Sequence, residues 1–357
     1  MIKTGLIGCG KVGDFHAHAF ASLCDSSFAG VFDADYSRAE LFAAKYNVKA
    51  FKTIDEFILS GIQGASICVP HPLHAATAVP LLEAGVNVLI EKPLASNLED
   101  CDRILKASKK GNAAVGVVCQ RRFYRPCVRL KKAIDDGKIG VPIIGQVNMM
   151  GWRDKTYYDS DPWRGTWKDE GGGVMVNQAP HQLDLLLWYM GDIDQLYGVA
   201  VNLNHPYIEV EDTAAAVIRF RNGGIGNILV SNSQNPGLYG KVHIFGSNGA
   251  SVGVQTDGGA MFIAGISDIT EPPINDIWTI PGEENKLWDW KIEDSHFFNS
   301  VDTNYFYHER QIENFLRSLL GTEKLLITGE DGKKTVELFT AVYRASVSGG
   351  TVKFPLR

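Results

Sequence analysis

No stretch of this chain stays apolar for the ~18–20 residues that a membrane-crossing helix needs. The first residues, MIKTGLIGCG, run directly into a strand pattern, without the charged, apolar and small-residue succession of a secretory leader. Positive charge is scarce as well. The 35 Lys and Arg stand against 41 Asp and Glu, a formal net charge of −6. Phosphate backbones and anionic membranes are bound by basic faces, so nucleic acid and membrane are set aside as main partners. The six cysteines (Cys9, Cys24, Cys68, Cys101, Cys119, Cys127) include no CxxC pair. Cys68 and Cys119 fall in apolar strand-like runs, where a thiol behaves as a small hydrophobe. We therefore expect six reduced thiols in a cytoplasmic protein, with neither disulfides nor a thiolate metal site. Internal repeats, low-complexity tracts and long polar linkers are also missing.

What is present is an ordinary globular composition, 45% hydrophobic and 21% charged, over 357 residues. That length accommodates two domains, each with its own core. In the first third, short apolar runs (Ile2–Ile7, Phe28–Phe32, Ala65–Val69, Val86–Ile90, Ala114–Val118) alternate with helical stretches (Ser37–Tyr46, His74–Ala84, Leu98–Lys110). Strands separated by helices imply βαβ units and a parallel sheet. Gly85 and Gly111 read as helix C-caps, and Pro80 is expected to kink the third helical stretch. Beyond Arg122 the pattern changes. A helix over Pro126–Asp136 is followed by a strand at Gly145–Gly151, a Gly- and Trp-rich stretch to Gly173, and a helix through Gly191. Residues 194–264 then read as strands joined by turns, with Asn222-Gly223-Gly224 as a hairpin. The stretch from Ser267 to Ser300 reads as irregular, and helices at Tyr305–Leu320 and Asp331–Ser348 close the chain. The expected fold is α/β: a Rossmann domain at 1–122, then an α+β domain at 123–357 with an open, mostly antiparallel sheet.

The firmest motif is Gly8-Cys9-Gly10-Lys11-Val12-Gly13, a GxGxxG placed after a strand and before a helix. Gly8 permits the tight turn, Gly10 lets the backbone approach a pyrophosphate, and Gly13 lets the helix pack on the strand. The helix N-terminus then offers free N–H groups to the phosphates. The next strand ends in Val31-Phe32-Asp33, where an acid can accept both ribose hydroxyls and repel a 2′-phosphate, so NAD is expected over NADP. A lone GxGxxG is an ordinary βα turn as readily as a cofactor site; strand, turn, helix and acid in order make it specific. A later strand ends in Glu91-Lys92-Pro93, and strand C-termini in a parallel sheet line the ligand crevice. Alone, Lys92 reads more readily as a surface lysine in a loop.

With the glycine turn, the segment Cys68-Val69-Pro70-His71-Pro72-Leu73-His74, the Glu91-Lys92-Pro93 tripeptide and the Gly171-Gly172-Gly173…His181…Asp184 block stand in an order and spacing that resembles the Gfo/Idh/MocA family of sugar and cyclitol oxidoreductases. The resemblance covers nearly the whole chain. It implies that Lys92 and His181 face the nicotinamide and the reacting hydroxyl, that Gln120 and Arg121 lie near the cofactor, and that Trp163-Arg164 reaches toward the nicotinamide. It also implies oligomer contacts through the C-terminal sheet, in a homodimer or homotetramer. Many members carry an aspartate four residues before the histidine, where this chain has Asn177. Together with Trp163-Arg164-Gly165-Thr166-Trp167, that resembles the nucleotide-sugar and sugar C3-dehydrogenases.

On this basis the cofactor side comprises Gly8, Gly10, Lys11, Val12, Gly13, Asp33, Arg38, Val69, Pro70, His71, His74, Glu91, Lys92, Gln120, Trp163 and Arg164. The substrate side comprises Lys92, Arg121, Tyr157, Trp163, Asn177 and His181, with Lys92, His181 and Asn177 as the catalytic group. Asn177, His181, Asp184 and Trp188 follow helical spacing and share one face, with Pro180 tolerated if the helix starts nearby. Alcohol oxidation needs a proton acceptor within hydrogen-bond reach. An unperturbed imidazole is mostly neutral at pH 7 and suits that role, and Asn177 cannot stabilise an imidazolium by charge. Lys92 either stabilises the developing alkoxide or, if burial lowers its pKa, is itself the base. His71 and His74 lack an acidic or thiol companion at fixed spacing, so no metal is expected. Trp163 and Arg164 read as sugar-binding, the other tryptophans as packing. Two alternatives to an NAD-dependent sugar or cyclitol dehydrogenase remain: an NAD-dependent glycosidase or lyase working through transient C3 oxidation, and a non-catalytic NAD-binding regulator.

Overall fold

The computed structural model describes residues 1–238, 240–256 and 272–356. The parts of the expected strand region and irregular stretch that fall on 257–271 lie outside the described residues. Contacts divide the chain into two units, residues 1–120 with 303–333, and residues 121–302 with 334–357. The sequence had suggested one continuous second domain.

In the first unit, six strands form one parallel sheet: β1 (Ile2–Ile7), β2 (Ser26–Phe32), β3 (Lys49–Phe51), β4 (Gly64–Ile67), β5 (Asn87–Ile90) and β6 (Val115–Val117), in the order β3-β2-β1-β4-β5-β6. The central strands are buried along nearly their whole length, as for a sheet covered on both faces. Strand order reverses between β1 and β4, so their C-terminal loops flank the crevice where such sheets bind ligands. Neither β3 nor the helix Ile54–Leu59 after it was legible, because each is too short to show a period. Segment 303–333 joins this unit through helix Phe306–Leu319, whose Ile312, Phe315 and Leu316 pack into a core with Ile2, Phe20 and Leu89. An amphipathic stripe shows that a helix must cover a core, not which one.

Pro80 sits inside the helix His74–Glu83. The carbonyl that loses its partner belongs to Ala76, on the exposed side, where water can replace the bond. Gly111 is the last helical residue of Leu98–Gly111, and Asn112 takes the left-handed position at φ 49°. Glycine is needed at 111 for closeness instead: a Cβ there would lie 1.7 Å from the Leu82 carbonyl oxygen.

The second unit is built on a seven-stranded sheet of β7 (Pro142–Met150), β8 (Ile193–Val201), β9 (Thr213–Phe220), β10 (Ile225–Ser231), β11 (Gly240–Gly246), β12 (Ser251–Thr256) and β13 (Val352–Lys353). The order is β12-β11-β7-β10-β9-β8-β13, antiparallel except between β7 and β10. Asn222-Gly223-Gly224 turns β9 into β10 as expected, with Phe220 N–H donating to the Gly224 carbonyl at 2.8 Å. Helix Pro180–Met190 covers one face: Leu186 and Met190 come so close to Gly145 that a Cβ there would meet them at 2.8 and 2.7 Å.

The expected single helix through Gly191 is in fact two, Val174–Asn177 and Pro180–Met190. Pro180 has no N–H to offer and therefore starts a new helix, while Ala179 N–H reaches back five residues to the Val174 carbonyl at 2.8 Å. Asn177 and His181 thus stand on different helices. The stretch read as irregular contains the helix Lys286–Ser300, which carries Trp288 and Trp290. All six cysteines are free, and no helix among the described residues is long and apolar enough to cross a membrane.

Candidate functional sites

The glycine turn in the first unit has the form a dinucleotide needs. Gly8 has φ +96°, and a Cβ on it would meet the Cys68 carbonyl oxygen at 2.5 Å. A Cβ on Gly13 would lie 2.1 Å from the Gly8 oxygen, whereas one on Gly10 would meet nothing within 4 Å. Gly8 and Gly13 are therefore required by the protein's own packing, and Gly10 faces the open side where a pyrophosphate fits. Lys11 and Val12 open the helix Lys11–Ser22, which follows Gly10 without a side-chain cap. Asp33 Oδ2 accepts from Cys9 N–H at 2.8 Å and Oδ1 from Asp35 N–H at 2.9 Å, so the acid is tied to the turn. The half-exposed Arg38 stands 3.6 Å from Asp33. Burial, and then Asp33, push the Cys9 thiol up to about 12, so it stays protonated.

After β4, Val69 and Pro70 lead into the short turn His71–Leu73, and His74 opens the next helix. His74 Nε2 lies 3.0 Å from the Val69 carbonyl and Nδ1 2.9 Å from that of Pro93. Burial holds its pKa below the usual histidine value. The loop after β5 carries Glu91, which is buried, and Lys92, which is partly exposed. Glu91 Oε2 accepts from Lys92 N–H at 3.1 Å, and Oε1 lies 3.0 Å from His16 Nε2 and 3.9 Å from His308 Nε2. Burial pushes the Glu91 carboxyl up, but the His16 hydrogen bond and the charges of His16, His308 and Lys92 carry it down to about 2. Burial also lowers His308 to about 4. Among the described residues, His16, Glu91 and His308 are the cluster whose donor atoms lie within 4.8 Å of one another; His71 and His74 are not part of it. Gln120 begins a helical turn after β6.

In the second unit, the buried Tyr157 is the hub. Its hydroxyl oxygen receives Arg164 Nη1 at 2.5 Å, Gln178 Nε2 at 3.0 Å and Asn177 Nδ2 at 3.1 Å. The Arg164 guanidinium lies 4.4 Å from the ring centres of both Tyr157 and Trp163, and the buried Arg153 lies 5.4 Å from that of Tyr157. Burial raises the Tyr157 pKa, against the pull of Arg164 and Arg153. Asn177 Nδ2 also donates to Glu170 Oε1 at 2.5 Å, and Glu170 Oε2 accepts from Gly165 N–H at 2.6 Å. Both amide hydrogens of Asn177 are therefore used within the wall of the site. Arg121 Nη1 is 3.5 Å from Thr256 Oγ1. His181 is buried in the first turn of its helix. Asp184 receives Arg122 at both oxygens, Nε at 2.8 Å and Nη2 at 2.7 Å.

Sequence reasoning missed His16, Ser66, His308, Glu170, Glu211 and Tyr343. Of these, His16 carried a usable signal: it stands three residues after Gly13 and so on the same helix face. Glu211, with Tyr343 beside it, explains two glycines of the triplet, Gly172 and Gly173. Its carboxylate accepts from Gly173 N–H at 2.9 Å, Met175 N–H at 3.0 Å and the Tyr343 hydroxyl at 2.8 Å. A Cβ on Gly173 would lie 1.8 Å from the Glu211 carbonyl oxygen, and one on Gly172 would lie 2.2 Å from the Tyr343 hydroxyl. Burial raises Glu211 to about 7, against these donors.

Known proteins match along both units. The profile described as "Oxidoreductase family, NAD-binding Rossmann fold" matches residues 2–118, and that of the "GFO/IDH/MocA C-terminal domain" matches residues 127–252. Myo-inositol 2-dehydrogenase of Thermotoga maritima is 24% identical, over 99% of this chain and 98% of its own. UDP-N-acetylglucosamine 3-dehydrogenase of Acidithiobacillus ferrooxidans is 29% identical, over 64% of this chain and 67% of its own. Among solved structures, the WlbA dehydrogenase from Bordetella pertussis in complex with NADH and UDP-GlcNAcA superposes with a TM-score of 0.86 at 28% identity, covering 100% of this chain and 98% of that one.

Proposed function

Since this chain belongs to the Gfo/Idh/MocA family of NAD-binding oxidoreductases, we propose that it oxidises the C3 hydroxyl of a nucleotide-linked hexose of the UDP-GlcNAcA type. That it is an NAD-dependent oxidoreductase of sugars, cyclitols or nucleotide sugars follows from the family and its named relatives. The narrower substrate is carried by the similarity to the WlbA dehydrogenase along the full chain. It is supported by the polar-aromatic wall of Tyr157, Trp163 and Arg164, since sugars are held by aromatic faces beside a few placed polar groups.

NAD, when bound, supplies the hydride acceptor. His181 takes the hydroxyl proton, and Lys92 stabilises the negative charge that develops on the oxygen as that proton leaves. Asn177 does not act on the substrate by donating, because its amide hydrogens are held by Tyr157 and Glu170; it orders the wall. Asp33 receives the ribose hydroxyls. A positioned acid–base group contributes about 10²–10⁴-fold, so Lys92→Ala and His181→Ala should each lower kcat by at least ~100-fold in an NADH-absorbance assay with UDP-GlcNAcA. Turnover within a few-fold of wild type in either variant would remove that residue from the mechanism.

The same family reading extends to assembly. The face of the second sheet opposite helix Pro180–Met190 carries Tyr197, Val199 and Val217, which are 45, 40 and 63% exposed. Tyr197 pairs with Val217 across β8 and β9, and Val199 lines up through Ala215 with Leu229, so these residues form continuous rows. An apolar patch of that kind marks an interaction surface, and a second copy of this chain is the occupant we assign to it.

A further inference from the structure

We propose that Ser66, His16 and Glu91, with His308 beside them, form a positioning chain for Lys92; this rests on the reading of Lys92 as the cation at the reacting hydroxyl. The chain leaves the ladder of β5 at Glu91, whose N–H still donates to the Ile67 carbonyl at 3.0 Å. The next amide, that of Lys92, donates instead to Glu91 Oε2 at 3.1 Å. The other carboxylate oxygen meets His16 Nε2 at 3.0 Å. A carboxylate only accepts, so His16 donates to it from Nε2, and Nδ1 lies 2.9 Å from the Ser66 hydroxyl. Ser66 lies in β4, beside β5, and His16 lies on the helix that opens at the glycine turn.

One carboxylate thereby refers the backbone of Lys92 both to the neighbouring strand and to the helix that starts at the cofactor turn. On the other side of Lys92, the Pro93 carbonyl is 2.9 Å from His74 Nδ1, and His74 Nε2 is 3.0 Å from the Val69 carbonyl. Lys92 is held through both of its neighbours while its own side chain stays partly exposed. An apolar side chain at position 91 would bury no charge, but it would leave the buried His16 ring without its carboxylate, which is destabilising. It could not hold the Lys92 N–H. A misplacement of about 1 Å of a reacting group can lower a rate by ~100-fold, so a group that fixes the Lys92 backbone acts on turnover without touching substrate.

The test reads Lys92 directly. In the full chain labelled with [¹⁵N]lysine, exchange of the Lys92 amide (assigned by its loss in Lys92→Arg) is followed beside NADH affinity by fluorescence and kcat with UDP-GlcNAcA. His16→Asn and Glu91→Ala should each speed Lys92 exchange by about tenfold or more, with other lysine amides unchanged, and lower kcat by at least about tenfold. Glu91→Gln keeps one acceptor for that amide and should change both readouts less than Glu91→Ala does, while NADH affinity in His16→Asn should stay within about threefold of wild type. His16→Asn with Lys92 exchange and kcat both unchanged overturns the proposal. If His16→Asn fails to fold, Ser66→Ala decides: a smaller change in the same direction supports the chain, and no change overturns it. The exchange arm needs no sugar. Lys92→Met separates the two readings, since retained turnover there removes Lys92 from the chemistry. Lost turnover in Lys92→Met with normal kcat in His16→Asn removes only the chain.

Discussion

Asp33 holds the cofactor turn together before any ligand arrives, through Cys9 N–H on one oxygen and Asp35 N–H on the other. On the proposed reading, its remaining acceptor capacity takes the ribose hydroxyls and its negative charge opposes a 2′-phosphate. Asp33→Ala should therefore lower the NAD-to-NADP ratio of kcat/KM by about tenfold or more, equal to roughly 1.4 kcal/mol of discrimination. A wild-type enzyme that already uses NADP as well as NAD contradicts this role. His308 gives a second prediction. Burial lowers it to about 4, whereas in the unfolded chain it titrates near 6.5. The folded state thus binds fewer protons, and the contribution of His308 to stability is present above pH 6.5 and lost as pH falls toward 4. Glu91, lowered to about 2, adds a second loss below pH 4.5. Between pH 7.5 and 4.5, His308→Asn should lose less stability than wild type by roughly 2–3 kcal/mol in denaturant unfolding. Equal losses in the two proteins would show that His308 is not held neutral.

At the scale of elements, the glycine triplet and the broken helix after it place His181. Gly173 is pressed against the Glu211 backbone while the Glu211 side chain collects the N–H groups that open the Val174–Asn177 turn. Gly173→Ala forces that contact apart and should destabilise the protein by about 1–3 kcal/mol, read as a lower Tm, with turnover lost beyond what the stability change explains. Full activity at unchanged Tm would mean that the close approach is not needed. Glu211 shifts the pH dependence the other way from His308: raised to about 7, it contributes stability below pH 4.5 that is lost as pH rises through 7. The βαβ alternation and the glycine turn were legible in the sequence because buried parallel strands are continuous apolar runs and the turn needs glycine at fixed positions. The break at 178–179 was legible only in part. Pro180 announces a discontinuity, but whether a helix bends or restarts depends on which N–H groups find partners, here Ala179 with Val174. The network of His16, Ser66, Glu91 and His308 was not legible, because its members stand on separate elements and nothing local marks them as neighbours.

At the scale of the whole molecule, the return of residues 303–333 to the first unit also lay beyond the sequence, since the stripe of Ile312, Phe315 and Leu316 fits any apolar core of suitable shape. The open face of β8 and β9 carries Tyr197, Val199 and Val217. Val217→Lys places a charge in that row, and light scattering should show a smaller assembly than wild type with the same fold by circular dichroism. An unchanged mass, or a monomeric wild type, removes the sheet face as the contact. The central claim is that a hydride moves from C3 of a nucleotide sugar to NAD. It is tested most directly with UDP-GlcNAcA carrying deuterium at C3, by mass spectrometry of the cofactor after one turnover. The account predicts NADH that carries that one deuterium; NADH without it, or no NADH at all, contradicts the account.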